Sequence, residues 1–497
     1  MTNSLQLLKH VRRVIDQASR ASGTPEQRAL LAAVETALNE LMQQQSPQFY
    51  RNYLQKGREL ATEGLHLGRQ HESALAVKQP LILPPEDARF EIIQHHIEQL
   101  HATLLDIVAA LDEGRSPPEK DYLVRLTDWE NSLYYHRLEP ADPGAVQGSV
   151  PLTAEALQQY LVRKFPQSPD VRVTSFRPLD GGFSKNTILF ETVDRIHGPR
   201  SLVIRAELKH MLVHYEGSDV TQEFHLIGLM RDAGLPVAEP MWLEPDATQL
   251  GTRFIVSRRA EGKTYGGNLG SDEQISKPLL QSIFAALVHM HGVRIDPNDP
   301  AAQRSHLNEW LGMKTVEEVM SYAVTEHMPR LLRLGGLPMT PSLLRAFQWM
   351  ERNVPDCQEP PVVVHLDFAL NNLILDGERV TAVLDWESSR MGDPAEDLIW
   401  TQQNLSQYLS MPEMLRRYEA ATGRSISAYR LAYARVVKCA LNAITCIAAM
   451  RQLEQHDDAH IKLAVLGYRY MALFGAQFNE LIEAAERCRS GAAGEPE

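Results

Sequence analysis

Three polar side chains within one short stretch of the chain have the types and spacing that phosphoryl transfer needs. Asp367 follows His365 by two positions and precedes Asn372 by five, and Asp385 ends the next apolar run. A carboxylate in such a loop can accept the proton of an attacking hydroxyl, and an amide and a second carboxylate can hold Mg²⁺. The pattern therefore predicts Asp367 as the catalytic base, with His365 supporting its loop. Asn372 and Asp385 are the predicted metal ligands.

The residues around this stretch predict a β-hairpin that would bring the two metal ligands together. Residues 373–375 and 380–384 are short apolar runs of strand length, and the Asp-Gly pair at 376–377 is a strong hairpin turn signal. Such a hairpin returns Asp385 to the neighbourhood of Asn372, as a shared metal ion requires. The alternative is an ordinary hairpin whose polar ends have no joint function, because short motifs also arise by chance.

The region continues with Gly392-Asp393-Pro394 and an apolar stretch, and as a whole it resembles a known family. The resemblance is to the aminoglycoside phosphotransferases and choline kinases, a small-molecule branch of the protein-kinase-like fold. Members typically show H-G-D-x-x-x-x-N, a D-W-E-like metal site and G-D-P. The phrase VLDWESSRMGDPAEDLIW is most similar to the branch linked to acyl-CoA dehydrogenases, and the likeness covers about the last 350 residues.

This resemblance implies an α+β, bilobal protein-kinase-like fold with a small β-rich N-lobe and a helical C-lobe, preceded by an all-α accessory domain. Helical spacing of apolar residues between Phe90 and Leu111 supports the accessory domain. The predicted boundaries are 1–139 for the helical accessory domain, 140–150 for a linker, 151–262 for the N-lobe, 263–490 for the C-lobe and 491–497 for a disordered tail.

The resemblance also implies which residues meet the nucleotide. Gly181, Gly182 and Ser184 match the family's G-G-x-S-x-x-T loop, in which backbone N–H groups and a hydroxyl approach phosphate oxygens. Arg205 ends the third predicted strand, where a kinase has a lysine for the α- and β-phosphates, and Glu223 is the predicted partner that orients it. The alternatives are a plain hairpin turn for the glycine pair, a solvated arginine at the strand end for Arg205 and a surface carboxylate for Glu223.

Two positions depart from the family pattern, and a third follows it. Arg205 keeps the positive charge of the usual lysine but offers a planar fork, so the two are not equivalent. Leu366 stands in place of the glycine of H-G-D, and its Cβ is expected to crowd or reshape the loop. Asp393 matches the aspartate of G-D-P, which implies a scaffold role.

Composition favours a globular protein and disfavours a nucleic-acid partner. With 44% hydrophobic and 23% charged residues the chain has ordinary globular composition, and its net charge of −13 disfavours a nucleic-acid partner. No apolar run is expected to reach membrane-spanning length, and the first residues lack a signal-peptide pattern. A cytoplasmic location without a membrane partner is therefore predicted. The four cysteines lack C-x-x-C spacing and are expected to be reduced thiols.

The predicted function is ATP-dependent transfer of the γ-phosphate to a hydroxyl of a small molecule, with Mg²⁺ as cofactor and GTP as an alternative donor. Two other classes stay open: a nucleotide-binding pseudokinase with little turnover, because of Arg205 and Leu366, and an interaction protein that binds a partner or dimerises through the N-terminal helical domain. Protein kinase activity is disfavoured because no A-P-E element follows Asp385. Whether the acceptor is an antibiotic, a hydroxyacyl compound or another metabolite depends on pocket shape, which the sequence does not give.

Overall fold

The protein is described by a computed structural model, which covers residues 11, 34, 47–68, 82–85, 90–111, 116–131, 152–179, 185–208, 219–264, 275–456, 459 and 463–491. Contacts along the chain divide it into two compact units, each assembled from separate segments. The helical unit comprises residues 1–148, 324–354 and 436–489, and the mixed unit comprises residues 149–323, 355–435 and 490–497.

This division differs from the predicted boundaries, which placed residues 263–490 together in the C-lobe. Residues 324–354 and 436–489 cluster instead with the N-terminal helices. Helical periodicity shows which face of a helix is apolar, but it does not show which core that face packs against. The predicted linker, and the predicted tail beyond residue 491, lie outside the described residues.

The described residues form the following regular elements in chain order. The helices are α1 (Pro47–Gly68), α2 (Phe90–Ala110), α3 (Pro117–Asn131), α4 (Ala154–Lys164), α5 (Val220–Asp232), α6 (Lys277–Gly292), α7 (Pro300–Arg304), α8 (Val316–Tyr322), α9 (Met328–Leu334), α10 (Pro341–Arg352), α11 (Pro394–Asn404), α12 (Met411–Thr422), α13 (Ala428–Gln455) and α14 (Tyr470–Arg489). The strands are β1 (Arg172–Pro178), β2 (Lys185–Asp194), β3 (Gly198–Glu207), β4 (Pro240–Glu244), β5 (Phe254–Arg258), β6 (Val362–Val364), β7 (Leu373–Asp376), β8 (Arg379–Val383) and β9 (Arg390–Gly392).

The mixed unit begins with a five-stranded antiparallel sheet in the order β1-β2-β3-β5-β4. Side chains alternate between the two faces of each strand, so Ile188 and Phe190 of β2 point into an apolar core. Lys185 and Thr187 of β2 lie on the opposite face, where Thr187 is paired in register with Arg205 of β3. One face of this sheet is therefore a core, and the other carries polar and charged groups.

The remainder of the mixed unit is mainly helical, which confirms the predicted α+β class. Its core joins α6, α11 and α12 to the short strands, through residues such as Leu287, Phe368 and Leu398. Strands β7 and β8 form the predicted hairpin, and Gly377 at its turn has φ +57°. That backbone conformation strongly favours glycine, so the Asp-Gly signal located the turn correctly.

The helical unit buries the apolar stripe that the sequence predicted on α2. Ile93, Ile97, Leu100, Leu104 and Ile107 are each at most 2% exposed and pack in one core with residues of α1 and α3. An apolar stripe at this spacing stabilises a helix mainly by burial against its neighbours. The prediction of a helical region before the sheet is therefore correct.

One helix requires a correction to the expectation that no apolar run has membrane-spanning length. Residues 428–453 of α13 pass a test of length and composition, with a mean hydropathy of 1.4 in the most apolar window. Most of that window, 72%, is buried against the rest of the protein. A helix that is packed on every side needs apolar residues on every side. The burial of α13 therefore explains its apolar composition.

Candidate active site

The loop that carries the predicted base is clamped by a buried carboxylate. The backbone N–H groups of His365 and Leu366 donate hydrogen bonds of 2.7 Å to the two carboxylate oxygens of Asp397. Leu366 has φ +66°, a left-handed conformation that a leucine adopts at a cost of about 1–2 kcal/mol. The predicted departure from glycine is therefore accommodated by strain, and the two hydrogen bonds to Asp397 offset it.

Asp397 is itself held by a second buried pair. His291 of α6 donates from Nε2 to an oxygen of Asp397 at 3.1 Å, and its Nδ1 lies 3.0 Å from the hydroxyl of Tyr418. Burial alone would raise the pKa of Asp397, but the hydrogen bond and charge of His291, together with His365, hold that pKa below its usual value. Asp397 therefore stays ionised and keeps both oxygens available as acceptors for the loop.

The carboxylate of Asp367 is fixed by two donors. Asn372 donates from Nδ2 to Oδ2 at 2.7 Å, and the indole N–H of Trp400 donates to Oδ1 at 2.8 Å. His365 supports the loop through its ring nitrogens: Nε2–H donates to the carbonyl of Leu384 at 2.9 Å, and Nδ1 accepts from the backbone N–H of Asp367 at 3.3 Å. Each carboxylate oxygen has a second lone pair, so Asp367 can still accept a hydrogen bond from a substrate hydroxyl.

The hairpin brings the backbone of the two predicted metal ligands close together. The N–H of Leu384 donates to the backbone carbonyl of Asn372 at 2.8 Å, which places Asp385 next in the chain beside that residue. Asn372 turns Nδ2 towards Asp367, and its Oδ1 accepts a hydrogen bond from Nδ2 of Asn371 at 3.1 Å. Asp385 has φ +67° and ψ +61°, a left-handed conformation.

The oxygens of Asn372 and Asp385 are a suitable donor set for Mg²⁺. Within the described residues there is no group of three or more His, Cys, Asp or Glu side chains that could hold a metal by itself. Magnesium in phosphoryl transfer needs fewer, since it typically takes one or two protein carboxylates and completes its shell with water and phosphate oxygens. One amide oxygen and one carboxylate therefore fit the cofactor that the sequence implies.

Arg205 reaches the predicted metal aspartate more closely than its predicted partner. Its Nη2 lies 2.7 Å from Oδ1 of Asp385 and 3.6 Å from Oε1 of Glu223. Glu223 is 1% exposed, and neither of its carboxylate oxygens has a hydrogen-bond partner among the described residues. Burial opposes ionisation of Asp385, but the charge and hydrogen bond of Arg205 hold its pKa below the ordinary value.

A second ion pair beside this one was not predicted. Lys185, the first residue of β2, places Nζ 3.0 Å from Oε2 of Glu387, and its side chain is 3% exposed. Burial, and then the charge of Asp385, raise the pKa of Glu387, while Lys185 opposes the increase. We refer to Lys185, Arg205, Glu223, Asp385 and Glu387 as the charge cluster.

The remaining predicted residues are Asp393 and the three residues of the glycine-rich loop. Asp393 caps α11, and Arg430 donates to its two carboxylate oxygens at 2.9 Å each, which is the structural role that G-D-P implied. Gly181, Gly182 and Ser184 lie outside the described residues. Their phosphate-binding role stays a prediction.

Sequence reasoning missed several residues of this site. Trp400, Asp397 and His291 orient the loop, and Lys185 and Glu387 form an ion pair. Two weak signals existed in the sequence: Lys185 directly follows the glycine-rich segment, and Glu387 is the third residue of D-W-E. Nothing at the sequence level pointed to His291.

Comparison with proteins of known sequence gives relatives that match parts of this chain. Acyl-CoA dehydrogenase family member 11 of Gallus gallus is 25% identical over 261 residues, which is 50% of this chain and 30% of that protein. Acyl-CoA dehydrogenase family member 10 of Mus musculus is 24% identical over 262 residues, 52% of this chain and 22% of that protein. Hygromycin-B 4-O-kinase of Escherichia coli is 23% identical over 243 residues, 49% of this chain and 64% of that protein. The chain thus spans less than a third of the first two relatives.

Solved structures overlap with about two thirds of the chain. A thermostable variant of aminoglycoside phosphotransferase APH(4)-Ia, in ternary complex with ADP and hygromycin B, superimposes with a TM-score of 0.45 and 18% identity, covering 66% of this chain and 98% of that one. Macrolide 2'-phosphotransferase MphH from Brachybacterium faecium gives a TM-score of 0.39 and 18% identity, covering 69% and 99%. The family assignment comes from sequence and not from these overlaps.

A family profile described as "Phosphotransferase enzyme family" (APH) matches residues 175–434. This range contains the catalytic loop, the hairpin and the charge cluster. The match, together with the relatives above, confirms the resemblance inferred from H-x-D-x-x-x-x-N and D-W-E, including the branch associated with acyl-CoA dehydrogenases. Because the profile covers more than half of the chain, the protein belongs to the phosphotransferase enzyme family.

Proposed function

We propose that this protein transfers the γ-phosphate of ATP to a hydroxyl group of a small molecule. The observation that carries the proposal is the convergence of Asp367, Asn372 and Asp385, in which one amide touches the base and adjoins the metal aspartate. Phosphoryl transfer needs little from a protein beyond such positioning and electrostatic stabilisation. Membership of the phosphotransferase family supports the same reaction class.

In the proposed reaction Asp367 accepts or orients the proton of the acceptor hydroxyl. Trp400 and Asn372 hold its carboxylate in one orientation, so little rearrangement is needed when the acceptor arrives. Asn372 and Asp385 would hold Mg²⁺, which when bound supplies positive charge beside the β- and γ-phosphates. Arg205 donates a hydrogen bond of 2.7 Å to that aspartate and is the first candidate to bind the phosphates.

The acceptor is proposed to be a small hydroxylated compound. One relative is named for phosphorylating hygromycin B at a hydroxyl, and others are named as acyl-CoA dehydrogenase family members. We therefore consider two types of acceptor, a sugar-like antibiotic and a hydroxyacyl compound of catabolism. A screen of both types with labelled ATP separates them, because only the true acceptor gives a labelled product with saturable kinetics.

One observation supports a second candidate function, nucleotide binding with little turnover. Arg205 makes its short hydrogen bond to Asp385, the predicted metal ligand, instead of to Glu223. If that pair persists in the presence of Mg·ATP, the carboxylate is only partly available to the metal. Tight binding of Mg·ATP with no labelled product across the acceptor panel would favour this alternative.

The test of the proposed reaction is the variant Asp367→Asn. Removal of the base is expected to lower kcat by about 100-fold to 10,000-fold, with the fold intact, since an amide keeps the size of the carboxylate. Asp376→Asn is the matched control, because Asp376 is an aspartate at the exposed turn of the same hairpin. Its kcat should equal that of the wild type. Wild-type turnover by Asp367→Asn on the true acceptor would refute the assignment.

A further inference from the structure

We propose that Lys185 is a second phosphate-binding cation of this site, acting on the nucleotide beside Arg205. The inference rests on the function proposed above. It assigns a role to a residue that the H-x-D, D-W-E and G-D-P motifs do not include. The argument combines the position of Lys185 on the sheet, the neighbours of its ammonium group and the charge balance of the cluster.

The register of the sheet places Lys185 and Arg205 on one face. Arg205 of β3 is paired with Thr187 of β2, and Lys185 precedes Thr187 by two residues. Side chains two apart on a strand point to the same side, and such diagonal neighbours on adjacent strands lie about 7–8 Å apart, with their Cβ atoms somewhat closer. Two long cationic side chains at that spacing can reach successive groups of one polyphosphate chain.

The ammonium of Lys185 turns away from the carboxylate opposite it on the sheet. Its cross-strand partner is Glu207, which instead accepts from Arg253 at 2.9 Å and from the N–H of Val220 at 3.0 Å. Lys185 reaches Glu387, two residues beyond Asp385. The ammonium is thereby held beside the same D-W-E segment that carries the metal aspartate.

The ammonium also has unused hydrogen-bonding capacity. Of its three N–H donors, one is used on Glu387, and the part of the chain that the structure describes offers no second acceptor. A buried donor without a partner is unfavourable, and phosphate oxygens are strong acceptors for an ammonium. Burial lowers the pKa of Lys185, but the charges of Glu387 and Glu223 more than offset this, so the group stays protonated.

The charge cluster can exchange its partners when a metal-bound nucleotide enters. It contains two cations and three carboxylates, so its carboxylates outnumber its cations. A divalent cation near Asp385 would compensate the carboxylates as Lys185 and Arg205 turn to the phosphates. The two ion pairs are therefore precursors of the phosphate contacts, with each cation already within a side-chain movement of the site.

The test measures the affinity of Lys185→Met for ATP, ADP and adenosine by calorimetry. Loss of a charge-assisted contact is expected to weaken ATP and ADP binding by about tenfold to a hundredfold and to leave adenosine binding unchanged. Lys185→Arg should recover most of the ATP affinity. Lys164→Met is the matched control, because Lys164 forms a Lys–Glu pair of 2.9 Å with Glu244 away from this cluster.

The background variant Glu387→Gln separates phosphate binding from a counterion role. If Lys185 binds phosphate, Lys185→Met weakens ATP binding in that background as well. Disappearance of the effect there would show that Lys185 only neutralises Glu387, and the inference would be wrong. Unchanged ATP affinity in Lys185→Met alone would overturn it too. Should Lys185→Met fail to fold, judged by its adenosine binding, Lys185→Gln is measured in its place against the same criteria.

These experiments distinguish failure of the proposed phosphate contact from failure of the proposed reaction. Lys185-dependent binding of ATP without transfer to any acceptor would reject the reaction and keep the phosphate contact. Transfer that is insensitive to Lys185 would reject the contact and keep the reaction. A wild-type protein that binds neither ATP nor tripolyphosphate would overturn both.

Discussion

The catalytic loop and the charge cluster are neighbours in the mixed unit, and they bury charge in opposite ways. In the loop, Asp397 accepts three hydrogen bonds of 2.7, 2.7 and 3.1 Å, two from the backbone and one from His291. In the charge cluster, Glu223 is equally buried, but its carboxylate oxygens have no hydrogen-bond partner within the described residues. A fully bonded buried charge fixes a structure, whereas a partly bonded one can change partners at low cost. The loop is thus the fixed part of the site and the cluster is the exchangeable part.

The largest expected effect comes from removing the anchor of the loop. Asp397→Ala leaves His291 and two backbone N–H groups without their acceptor and removes the contacts that offset the strain at Leu366. Breaking a buried charged pair in this way is expected to lower the free energy of unfolding by about 3–5 kcal/mol. Urea denaturation of the variant and the wild type measures this difference in unfolding free energy. Asp232→Ala, an exposed aspartate at the end of α5, should change stability by less than about 0.5 kcal/mol. A loss of stability below about 0.5 kcal/mol in Asp397→Ala would refute the anchor role.

The same anchor predicts a pH dependence with a definite sign. The pKa of Asp397 is lower in the folded protein than its unfolded value of about 3.9, so its stabilisation is fully present above that pH. The stabilisation is lost as the pH falls through the lowered folded-state pKa. The difference in unfolding free energy between wild type and Asp397→Ala should therefore narrow as the pH falls below about 4. A difference that widens in that acidic range would contradict this.

Contacts of this site between residues that are close along the chain could be predicted from the sequence, and contacts between distant residues could not. The hairpin, the turn at Gly377 and the approach of Asn372 to Asp385 follow from residues within fifteen positions of one another, and they were predicted. The bond from His291 to Asp397 spans 106 positions, and the one from Lys185 to Glu387 spans 202. Local propensity and spacing carry no information on such pairs, because they depend on how the elements pack.

The sequence is limited in the same way as a guide to how the chain divides into a helical unit and a mixed unit. The apolar stripe on α2 identified a helix and its buried face correctly. Contact clustering groups residues 324–354 and 436–489 with the N-terminal helices, and their assignment to the C-lobe stays a prediction, because helical periodicity does not show which core a helix packs against. Arg205 illustrates a third case: its place on β3 was foreseen, but its shorter contact with Asp385 depends on side-chain geometry.

An intermediate effect is expected from Arg205→Ala in the charge cluster. Loss of the guanidinium removes a candidate phosphate contact and should weaken Mg·ATP binding by about tenfold to a hundredfold, measured by calorimetry. Arg200→Ala is the matched control, since Arg200 lies on the same strand and is bonded to Asp194 at 2.9 Å. An unchanged ATP titration would reject the phosphate role.

The smallest effect is expected from Glu223→Gln. Its carboxylate makes no hydrogen bond within the described residues and lies 3.6 Å from Arg205, so its removal forfeits little attraction and relieves a buried charge. The free energy of unfolding should change by less than about 1 kcal/mol and the ATP affinity by less than about threefold. A loss as large as that of Arg205→Ala would instead show that Glu223 orients Arg205, as the sequence suggested, and would make the cluster as fixed as the loop.

The discontinuity of the helical unit has a consequence for biosynthesis. Asn479 of α14 donates to the carbonyl of Val124 in α3 at 3.2 Å, across 355 positions of sequence. At ribosomal rates of about 5–20 residues per second, α3 waits about 20–70 s for this partner to be made. The polar groups of α3 that bond to α14 lack this partner during that interval, whereas the core that α3 shares with α1 and α2 can already form. Deletion of the first 148 residues would leave α10 and α14 in the same condition permanently, so shortened versions of the protein are expected to aggregate before they report on activity.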